Sequence, residues 1–563
     1  MKKFVTLFVI ALLVLALAAC GNNQTPETTE GTAAPTVPVD PNAIASCVTG
    51  DKLVYVQTVE ELQDAIDPTG NTVVTLLKNV ENKKAIELPY SCTVDFAGFT
   101  VTTNPQQGLG VQIHAKGSEN AVTTLKNGAL NSYSDSLRVK EGAMVVENMQ
   151  VHTAYGSSLV LYDVSGEYKS MNRVSDSTLL SASGGVLLFG SQDGDFSATG
   201  ITVENTTAIC YKAEGNLAIN KANSGTTPGV VTLGDNVQIY SYNDLACPDG
   251  FPFLGTLPVK EKKVTATIGD QSWENMTCWN TASEIETLDI LMIGSSVCHS
   301  FLDEMYAMAD AMDIAINVTN VYQAGCTLQT HWGYLENPET APGQCQYFVI
   351  SSLGRFEHPE ITTTAEAVKF LDWDIVSCQM AFNTSRIASV EKALSYCDPW
   401  AVYLMDYLRQ ECPDAKLYWQ QGWAFAVGYI HPNNEDDDPT NDRPERDIRT
   451  LEAQNAMYDV IHEATFQLSD WLDVDLVPCA EAWQLARAQV GDTLHRSDYA
   501  HDGDAGGGQY LNAAVWLEVA TGKSIIGNTW RPTTYLLLED KIPALQQAAH
   551  EAVAAIYGED YAK

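Results

Sequence analysis

Two patterns of hydrophobic and polar residues divide the chain. Between Lys52 and about Thr277, short apolar runs such as "NTVVTLLKNV" and "FSATGITVENTTA" are separated by turns rich in Gly, Asn, Asp and Ser. From Ser283 onward, buried strand patterns such as "TLDILMIGSS" alternate with long amphipathic segments. The first pattern predicts many short strands, and the second predicts a parallel sheet with helices on both faces. We therefore expect an all-β region at 49–280 and an α/β region at 281–563.

The strand-and-turn unit of the first region recurs at intervals of about 20 to 30 residues, which is typical of a solenoid. The corresponding apolar positions are Val101, Leu130, Val151, Leu180 and Val203. The preceding segment "TVEELQDAI" predicts a helix with Leu62 and Ile66 on one face. The region resembles the right-handed parallel β-helix of the pectin-lyase-like superfamily, a resemblance that implies a helix capping its N-terminal end. A β-sandwich is the alternative fold.

In the second region, five segments predict buried parallel strands: "TLDILMIGSS", "AINVTNVYQAG", "DWDIVSCQM", "AKLYWQQGW" and "DVDLVP". Amphipathic patterns predict a helix in "SFLDEMYAMADAMD" and further helices near Val390–Glu411, Leu451–Leu468, Glu481–Arg487, Gly508–Thr521 and Ile542–Tyr557. Ligands of such sheets bind at the carboxyl ends of the strands. We therefore expect the catalytic or binding residues to lie at those ends.

The first residues predict export. Lys2 and Lys3 precede a short apolar stretch, which ends in Leu-Ala-Ala-Cys at Cys20. The pattern resembles the lipobox of bacterial lipoproteins, which implies cleavage before Cys20, lipidation of its thiol and an extracytoplasmic protein anchored to the cell membrane. An ordinary secretory signal is the alternative. We expect a signal peptide at 1–20 and an extended Thr/Pro-rich linker at 21–48.

Charge and cysteine content exclude several classes of function. The 32 Lys and Arg against 71 Asp and Glu give a net charge of −39, which disfavours nucleic acid and polyanionic glycans as partners. The 13 cysteines form no CxxC pair and no zinc-like spacing with histidine, so neither a metal nor another cofactor is expected. Cysteines within apolar runs, such as Cys210 and Cys378, are expected to be buried free thiols.

Residues suited to acyl transfer fall at the ends of the predicted strands. Ser296 follows the first strand, and an Asp-x-x-His pattern places Asp498 and His501 in one late loop. A histidine oriented by a carboxylate can activate a serine nucleophile. A backbone N–H near Ser296 or Gly325 and the side-chain amide of Gln379 can donate to an oxyanion.

The order of these blocks resembles the SGNH (GDSL-like) hydrolases, in particular an uncharacterised bacterial branch whose first block reads Ile-Gly-Asn-Ser-Phe. The resemblance covers about Ile285 to Gly558 and implies a three-layer, flavodoxin-like α/β domain. It makes Ser296 the nucleophile, His501 the base and Asp498 its partner. Gln379 would stand where other branches carry an oxyanion-hole Asn.

Two features depart from that pattern. Ser295 replaces the expected Asn and Val297 the expected Phe, so Ser295 is itself a candidate nucleophile. The stretch "HDGDAGGG" is longer and richer in Gly than the usual link after the histidine. Ser295, His331 and Trp423 are assigned to the pocket.

The sequence thus predicts a cell-surface lipoprotein esterase that removes acyl groups, such as acetyl, from carbohydrate. Its β-helix would bind glycan or act as a spacer. The alternative is a glycan-binding or adhesive surface protein with a degenerate hydrolase domain. A polysaccharide lyase in the β region is disfavoured because that region supplies only Arg138 and Arg173, and its Asp193/Asp195 pair is typical of a solvated turn. The acidic run 435–438 likewise predicts a solvated loop at the rim of the site.

Overall fold

The computed structural model describes residues 38–103, 113–115, 122–165, 171–182, 185–190, 199–212, 218–221, 229–243, 252–340, 343–380, 389–430, 447–533 and 539–563. Cys20 with the predicted signal peptide, the Asp193/Asp195 pair and the acidic run 435–438 lie outside these residues. Ala43–Lys563 forms one compact unit, which contains both predicted regions. Within the described residues, no helix is both long and apolar enough to cross a membrane.

The first region consists of short strands and one helix. The strands are β1 Ala45–Thr49, β2 Lys52–Val56, β3 Thr72–Leu76, β4 Val80–Asn82, β5 Ile86–Leu88, β6 Cys92–Asp95, β7 Thr100–Thr103, β8 Ile113–Ala115, β9 Val122–Ser132, β10 Leu137–Glu141, β11 Ala143–Thr153, β12 Leu159–Ser165, β13 Asn172–Ser175, β14 Thr178–Ser181, β15 Leu187–Gly190, β16 Gly200–Glu204, β17 Thr207–Cys210, β18 Ile219–Lys221, β19 Val230–Leu233, β20 Gln238–Ser241, β21 Phe253–Gly255, β22 Val259–Ile268 and β23 Gln271–Asn280. The helix, α1, spans Val59–Ala65.

Most of these strands lie in parallel ladders. One ladder runs β3, β6, β9, β11, β13, β16, β19 and β21, and a second runs β4, β7, β9, β11, β14, β17 and β20. A separate parallel sheet has the order β5, β8, β10, β12, β15 and β18. Paired strands lie roughly 20 to 30 positions apart, as the repeat predicts.

The core of the first ladder is a stack of aliphatic side chains. Each member pairs in register with the next, and none is more than 6% exposed. Their order is Val94, Leu125, Val146, Val174, Val203 and Leu233. Because strands are two-sided, alternate residues of every coil can contribute to such a stack while their neighbours face outward.

The structure corrects part of the predicted register. Val101 pairs with Leu130 and Leu130 with Val151, as expected. Leu180 instead pairs with His152, one position away, and Val203 belongs to the neighbouring ladder. The coils differ in length, so spacing along the chain does not fix register, and a shift of one residue turns a side chain to the opposite face.

Helix α1 lies where the sequence places it. Thr58 caps it by accepting a hydrogen bond from the Glu61 amide, and Leu62 and Ile66 are 6% and 3% exposed. Strand β1 pairs antiparallel with β2 and β3 and begins at Ala45, so the predicted linker 21–48 extends too far. At the other end, the antiparallel hairpin β22–β23, which the sequence pattern did not predict, pairs with β20.

The second region contains the remaining strands and helices. The strands are β24 Thr287–Gly294, β25 Ala315–Tyr322, β26 Gln346–Ser351, β27 Gly354–Glu357, β28 Ile375–Cys378, β29 Lys416–Gln420 and β30 Asp475–Val477. The helices are α2 Leu302–Ala311, α3 Leu328–Glu336, α4 Thr364–Val368, α5 Val390–Ser395, α6 Trp400–Glu411, α7 Leu451–Leu472, α8 Cys479–Val490, α9 Gly508–Thr521 and α10 Ile542–Tyr557, with 3₁₀ turns at Ser296–Cys298 and Pro338–Thr340.

The seven strands have the order β27-β26-β25-β24-β28-β29-β30. Five neighbouring strands of this sheet are parallel and correspond to the five predicted strands. In sheet order they are β25, β24, β28, β29 and β30. Numbered along the chain, they follow the order 2-1-3-4-5 of flavodoxin-like sheets. Strands β26 and β27 were not predicted, and they extend this sheet with antiparallel pairs beside β25.

The predicted helices are present with small changes of boundary. The segment expected as one helix from Val390 to Glu411 forms two, α5 and α6, with Pro399 immediately before the second. Helix α9 matches its predicted bounds and is buried from Gly508 to Val519. Such a helix, apolar on nearly every side, lies in the interior of the domain.

Candidate active site

The candidate site lies where the chain order of the parallel strands reverses. Strand β24 has β25 on one side and β28 on the other, which makes the gap between β24 and β28 the switch point of the sheet. In open α/β sheets, crevices form outside the carboxyl ends of the strands at this point. Ser296 follows β24 and Gln379 follows β28, so both lie at this edge.

Three predicted residues form one hydrogen-bonded row. Ser296 Oγ lies 3.1 Å from His501 Nε2, and His501 Nδ1 lies 2.7 Å from Asp498 Oδ2. Asp498 is acceptor-only when ionised, so Nδ1 carries the hydrogen and Nε2 of the neutral ring faces the serine hydroxyl as acceptor. This geometry matches a nucleophile, its general base and the group that orients the base.

The loop itself favours the charged form of Asp498. Partial burial raises the pKa of Asp498, but hydrogen bonds from the His501 and Ala500 amides and from the His501 ring outweigh it and leave that pKa below its usual value. The two amides lie 2.9 and 3.0 Å from Oδ1. One oxygen therefore fixes the turn of the backbone, and the other orients the imidazole.

Ser295 occupies a different environment from Ser296. Its side chain is fully buried, and its Oγ and backbone N lie 3.1 and 3.3 Å from Gln379 Oε1, to which both donate. Ser296 is half-buried and faces His501. The structure therefore brings Ser296 to His501 and holds Ser295 in a contact between the segments that follow β24 and β28.

Gln379 is oriented by that contact. With Oε1 held by Ser295, its Nε2 points elsewhere, is buried, and has no hydrogen-bond acceptor among the described residues. A buried donor without a partner costs about 1–3 kcal/mol and needs an explanation, of which a role in binding or catalysis is one. This amide is thus a candidate donor to an oxyanion.

Gly325 lies in an exposed turn after β25, with a φ of +65° that favours glycine. The turn is tied to the nucleophile segment because the Gln323 amide donates to the Gly294 carbonyl at 3.3 Å. His331 donates to the same carbonyl through Nε2 at 3.2 Å. Burial lowers the pKa of His331 to about 4, so the ring is neutral near pH 7.

The residues assigned to the pocket are all buried. Ser295 and His331 are 0% exposed and Trp423 is 4% exposed. Trp423 stacks on Trp483, with ring centroids 4.6 Å apart, and donates through Nε1 to the Ala500 carbonyl at 2.9 Å. These three side chains therefore support the loops of the site and do not line an open pocket.

Other polar groups of the site were not identified from the sequence. Gln420, at the end of β29, donates to the Val297 carbonyl at 2.9 Å and accepts from Trp516 Nε1 at 3.0 Å. Asp502 is fully buried beside His501 and accepts hydrogen bonds from Ser300 and Asn512. Asn512 is a polar residue within the apolar helical segment "QYLNAAVWL", and this is the sequence signal that could have indicated a buried polar network here.

The described residues near the site offer neither a cluster of metal ligands nor a reactive thiol. Within the parts of the chain that the structure describes, no group of three or more His, Cys, Asp or Glu side chains is arranged to hold a metal ion. The 11 cysteines among the described residues are buried, and none forms a disulfide. Burial raises the pKa of Cys298, which lies in the nucleophile turn, to about 12, so this thiol is protonated at neutral pH.

Comparison with solved structures finds similar chains. A DUF4886 family protein from Bacteroides uniformis is 23% identical, with a TM-score of 0.40 over 49% of this chain and 96% of that chain. A protein described as a GDSL-like lipase from Parabacteroides merdae is 15% identical, with a TM-score of 0.26 over 42% and 97%. A catalytic mutant of an acetylxylan esterase from Geobacillus stearothermophilus is 13% identical, with a TM-score of 0.26 over 42% and 94%.

No curated protein matches the chain. A family model does match the α/β region, including the nucleophile segment, the strand that carries Gln379 and the Asp-x-x-His loop. Residues 289–552 match the model of the Domain of unknown function (DUF4886).

Proposed function

We propose that this protein is a serine esterase of the SGNH type. The observation that carries the proposal is the row from Ser296 through His501 to Asp498, with contacts of 3.1 and 2.7 Å. In the proposed reaction, Ser296 Oγ attacks an ester carbonyl while His501 Nε2 takes its proton. His501 then returns that proton to the leaving alcohol, and water hydrolyses the acyl-enzyme by the same route in reverse.

The oxyanion of each tetrahedral intermediate needs hydrogen-bond donors. The Gln379 Nε2 group, oriented by Ser295 and without an acceptor in the described residues, is the side-chain donor we assign. The Ser296 amide is the first N–H of a 3₁₀ turn and therefore has no acceptor within that turn. The Gly325 amide, in its exposed turn, is the third donor of the proposal. Each such donor contributes about 10²–10³-fold to the rate.

We further propose that the substrate is an O-acylated, largely uncharged carbohydrate outside the cell. The three parallel ladders support a β-helix at 49–280, and two tyrosines that follow neighbouring strands of one ladder expose their rings. Tyr133 and Tyr155 are 45% and 51% exposed, with centroids 4.9 Å apart. Exposed aromatic faces with a hydroxyl suit sugar rings, which are apolar on one face and polar at the edge. Lipidation at Cys20 would anchor the protein to the cell membrane.

The test is hydrolysis of a small acetyl ester and of acetylated xylan by the purified chain. We expect Ser296→Ala to lower kcat by at least about 10³-fold on both substrates. Ser295→Ala removes the neighbouring hydroxyl and is the comparison variant. Its kcat should stay within about tenfold of the wild type, because the Ser295 backbone amide still donates to Gln379 Oε1. A serine-reactive phosphonate should label the wild type and fail to label Ser296→Ala.

Equal activity of the wild type and Ser296→Ala would contradict the proposal. If Ser295→Ala is not labelled and Ser296→Ala still is, Ser295 is the nucleophile. A folded wild type that binds xylan but reacts with neither ester nor phosphonate would identify a glycan-binding protein with a degenerate hydrolase domain.

A further inference from the structure

A second carboxylate lies directly after the catalytic histidine. Asp502 is 0% exposed, and its two oxygens accept from the Ser300 hydroxyl at 2.6 and 2.7 Å. Oδ2 also accepts from Asn512 Nδ2 at 3.1 Å. Asn512 Nδ2 can only donate, and the single Ser300 hydroxyl hydrogen is shared between the two oxygens, an arrangement that fits an ionised carboxylate. The row of Ser296, His501 and Asp498 makes no use of this group.

Ser300 belongs to the segment that carries the nucleophile. Its Oγ lies 3.4 Å from the Ser296 carbonyl, much further than from the Asp502 oxygens, so Asp502 takes the hydroxyl hydrogen. Ser296 and His501 are 205 positions apart in the chain. The Ser300–Asp502 contact is thus a direct side-chain link between the segment that bears the nucleophile and the loop that bears the base.

A third element completes the link. Asn512 lies on the buried helix α9 and accepts at Oδ1 from Trp483 Nε1 at 2.7 Å. On the other side, Arg496 donates through Nε to the Asp502 carbonyl at 2.9 Å, and its backbone amide donates to the His501 carbonyl at 2.8 Å. Arg496 therefore holds the backbone of His501 and Asp502, and Asn512 holds the Asp502 side chain.

We propose that Asp502 is a positioning residue of the esterase, which holds the two catalytic segments in register and places a negative charge beside the imidazole. The inference rests on the proposed function. Titratable groups that face Asp502 are His501 and Arg496 on its own loop and Cys479 at the start of α8. When Ser296 gives up its proton, an imidazolium forms on His501. The charge of Asp498 stabilises it, and so does that of Asp502 above the pKa of about 6 to which burial raises this carboxyl.

Asp502→Asn tests the role because it keeps the size and one acceptor oxygen but removes the charge. We expect kcat to fall by about 10- to 100-fold, with KM for a small acetyl ester changed less than about twofold, because the defect is in alignment and charge and not in substrate contact. The acidic limb of the kcat/KM profile should move to lower pH, since a lost negative charge disfavours the imidazolium. Ser300→Ala should reproduce part of the loss in kcat, and Ser300→Thr, which restores the hydroxyl, should recover most of it.

Glu518→Gln is the matched control. Glu518 is also a fully buried carboxylate that follows His501 in the chain and lies on α9, but its oxygens accept from His550 and the Ile525 amide. We expect this variant to have the kcat and pH profile of the wild type, even if its melting temperature is lower. An Asp502→Asn variant with wild-type kcat and acidic limb, or one that matches Glu518→Gln, would overturn the inference.

The proposed esterase activity and the positioning role of Asp502 are tested by different outcomes. If Ser296→Ala retains activity or the wild type resists a serine-reactive phosphonate, the proposed function fails. If the wild type reacts, and neither Asp502→Asn nor Ser300→Ala changes kcat, only the positioning role fails. Should Asp502→Asn not fold, the half-buried Ser300 still gives the answer through its Ala and Thr variants.

Discussion

At the scale of single residues, the local motif carries most of the information. Asp498 and His501 lie three positions apart in one loop, so their contact needs only a turn, and Ser296 follows a strand whose end lies at the switch point of the sheet. Ser300, Asp502 and Asn512 come together only through the fold, because no sequence spacing links them. The row of Ser296, His501 and Asp498 was therefore predictable, and the network of side chains around it was not.

The orientation of His501 gives the first prediction. In Asp498→Asn, an amide replaces the acceptor at His501 Nδ1, so the ring loses the partner that fixes its tautomer. We expect kcat to fall on the order of 10³-fold or more, with little change in melting temperature because Asp498 is exposed. Steady-state kinetics and thermal unfolding of the same samples measure both.

Asp504→Asn is the control for this substitution. Asp504 is an exposed carboxylate on the same stretch of chain and accepts from the adjacent Ala505 amide. Its loss should leave kcat within about twofold of the wild type. A comparable loss in both variants would mean that general acidity of the loop, and not the Asp498–His501 contact, supports the activity.

At the scale of helices and strands, long periodic segments were predicted well and short antiparallel pairs were missed. The hydrophobic pattern of the sequence predicts both the buried strand β24 and the 14-residue helix α9. The hairpin β22–β23 has "VKEKKVTATI" as its first strand, in which charged side chains interrupt the alternation. Strand β27 has only four residues and depends on its pairing with β26. Such strands are stabilised by tertiary pairing more than by their own sequence.

Replacing either of two glycines, one in a strand and one in a helix, by alanine should change stability in opposite directions. A Cβ at Gly128 in β9 would lie 2.3 Å from Phe96 Cβ and 2.6 Å from the Phe99 carbonyl oxygen of the preceding coil. Gly333 lies within helix α3, and a Cβ there would meet nothing within 4 Å. Gly128→Ala should therefore destabilise by at least about 1–3 kcal/mol, and Gly333→Ala should stabilise by about 0.5–1 kcal/mol.

Chemical denaturation of both variants measures these free energies of unfolding. Because α3 also carries the buried His331 under the nucleophile segment, Gly333→Ala should leave the esterase kcat unchanged while raising the unfolding midpoint. A destabilised Gly333→Ala variant would show that α3 is strained or needs flexibility at this position. A neutral Gly128→Ala variant would contradict the close stacking of β6 and β9.

At the scale of the whole molecule, buried histidines decide the response to acid. Burial lowers the pKa of five described histidines: His152, His299, His331, His358 and His495. For His299, His331 and His358 the lowered value is about 4. Two carboxyls behave in the opposite way, since burial raises the pKa of Asp289 and Asp502 to about 6.

These groups set the sign of the pH dependence of stability. A histidine with a lowered pKa stabilises the fold above its ordinary value of 6.5, and that contribution is lost as pH falls toward about 4, because the unfolded chain then binds the proton that the folded chain refuses. Asp289 and Asp502 oppose this, since their protonation below about pH 6 favours the folded form. The effect of the five histidines on stability begins at a higher pH than that of the two carboxyls and involves more groups. The histidines therefore set the sign of the change in the free energy of unfolding between pH 6.5 and 5.

We therefore expect the melting temperature to fall as pH is lowered from 7.5 to 5, although the net charge of −39 and its self-repulsion decrease over that range. In His358→Asn the unfolded chain takes up one proton fewer, so the slope should be shallower by up to about 1.4 kcal/mol per pH unit. His358 suits the test because its Nδ1 only accepts, from the Ile361 and Glu360 amides at 3.2 and 3.3 Å, and an Asn oxygen can replace it. Thermal unfolding at low and high salt separates the two effects, because salt screens surface repulsion and leaves the protonation of buried rings unchanged. A melting temperature that rises toward pH 5 at both salt concentrations would show that surface charge and the two carboxyls outweigh the histidines.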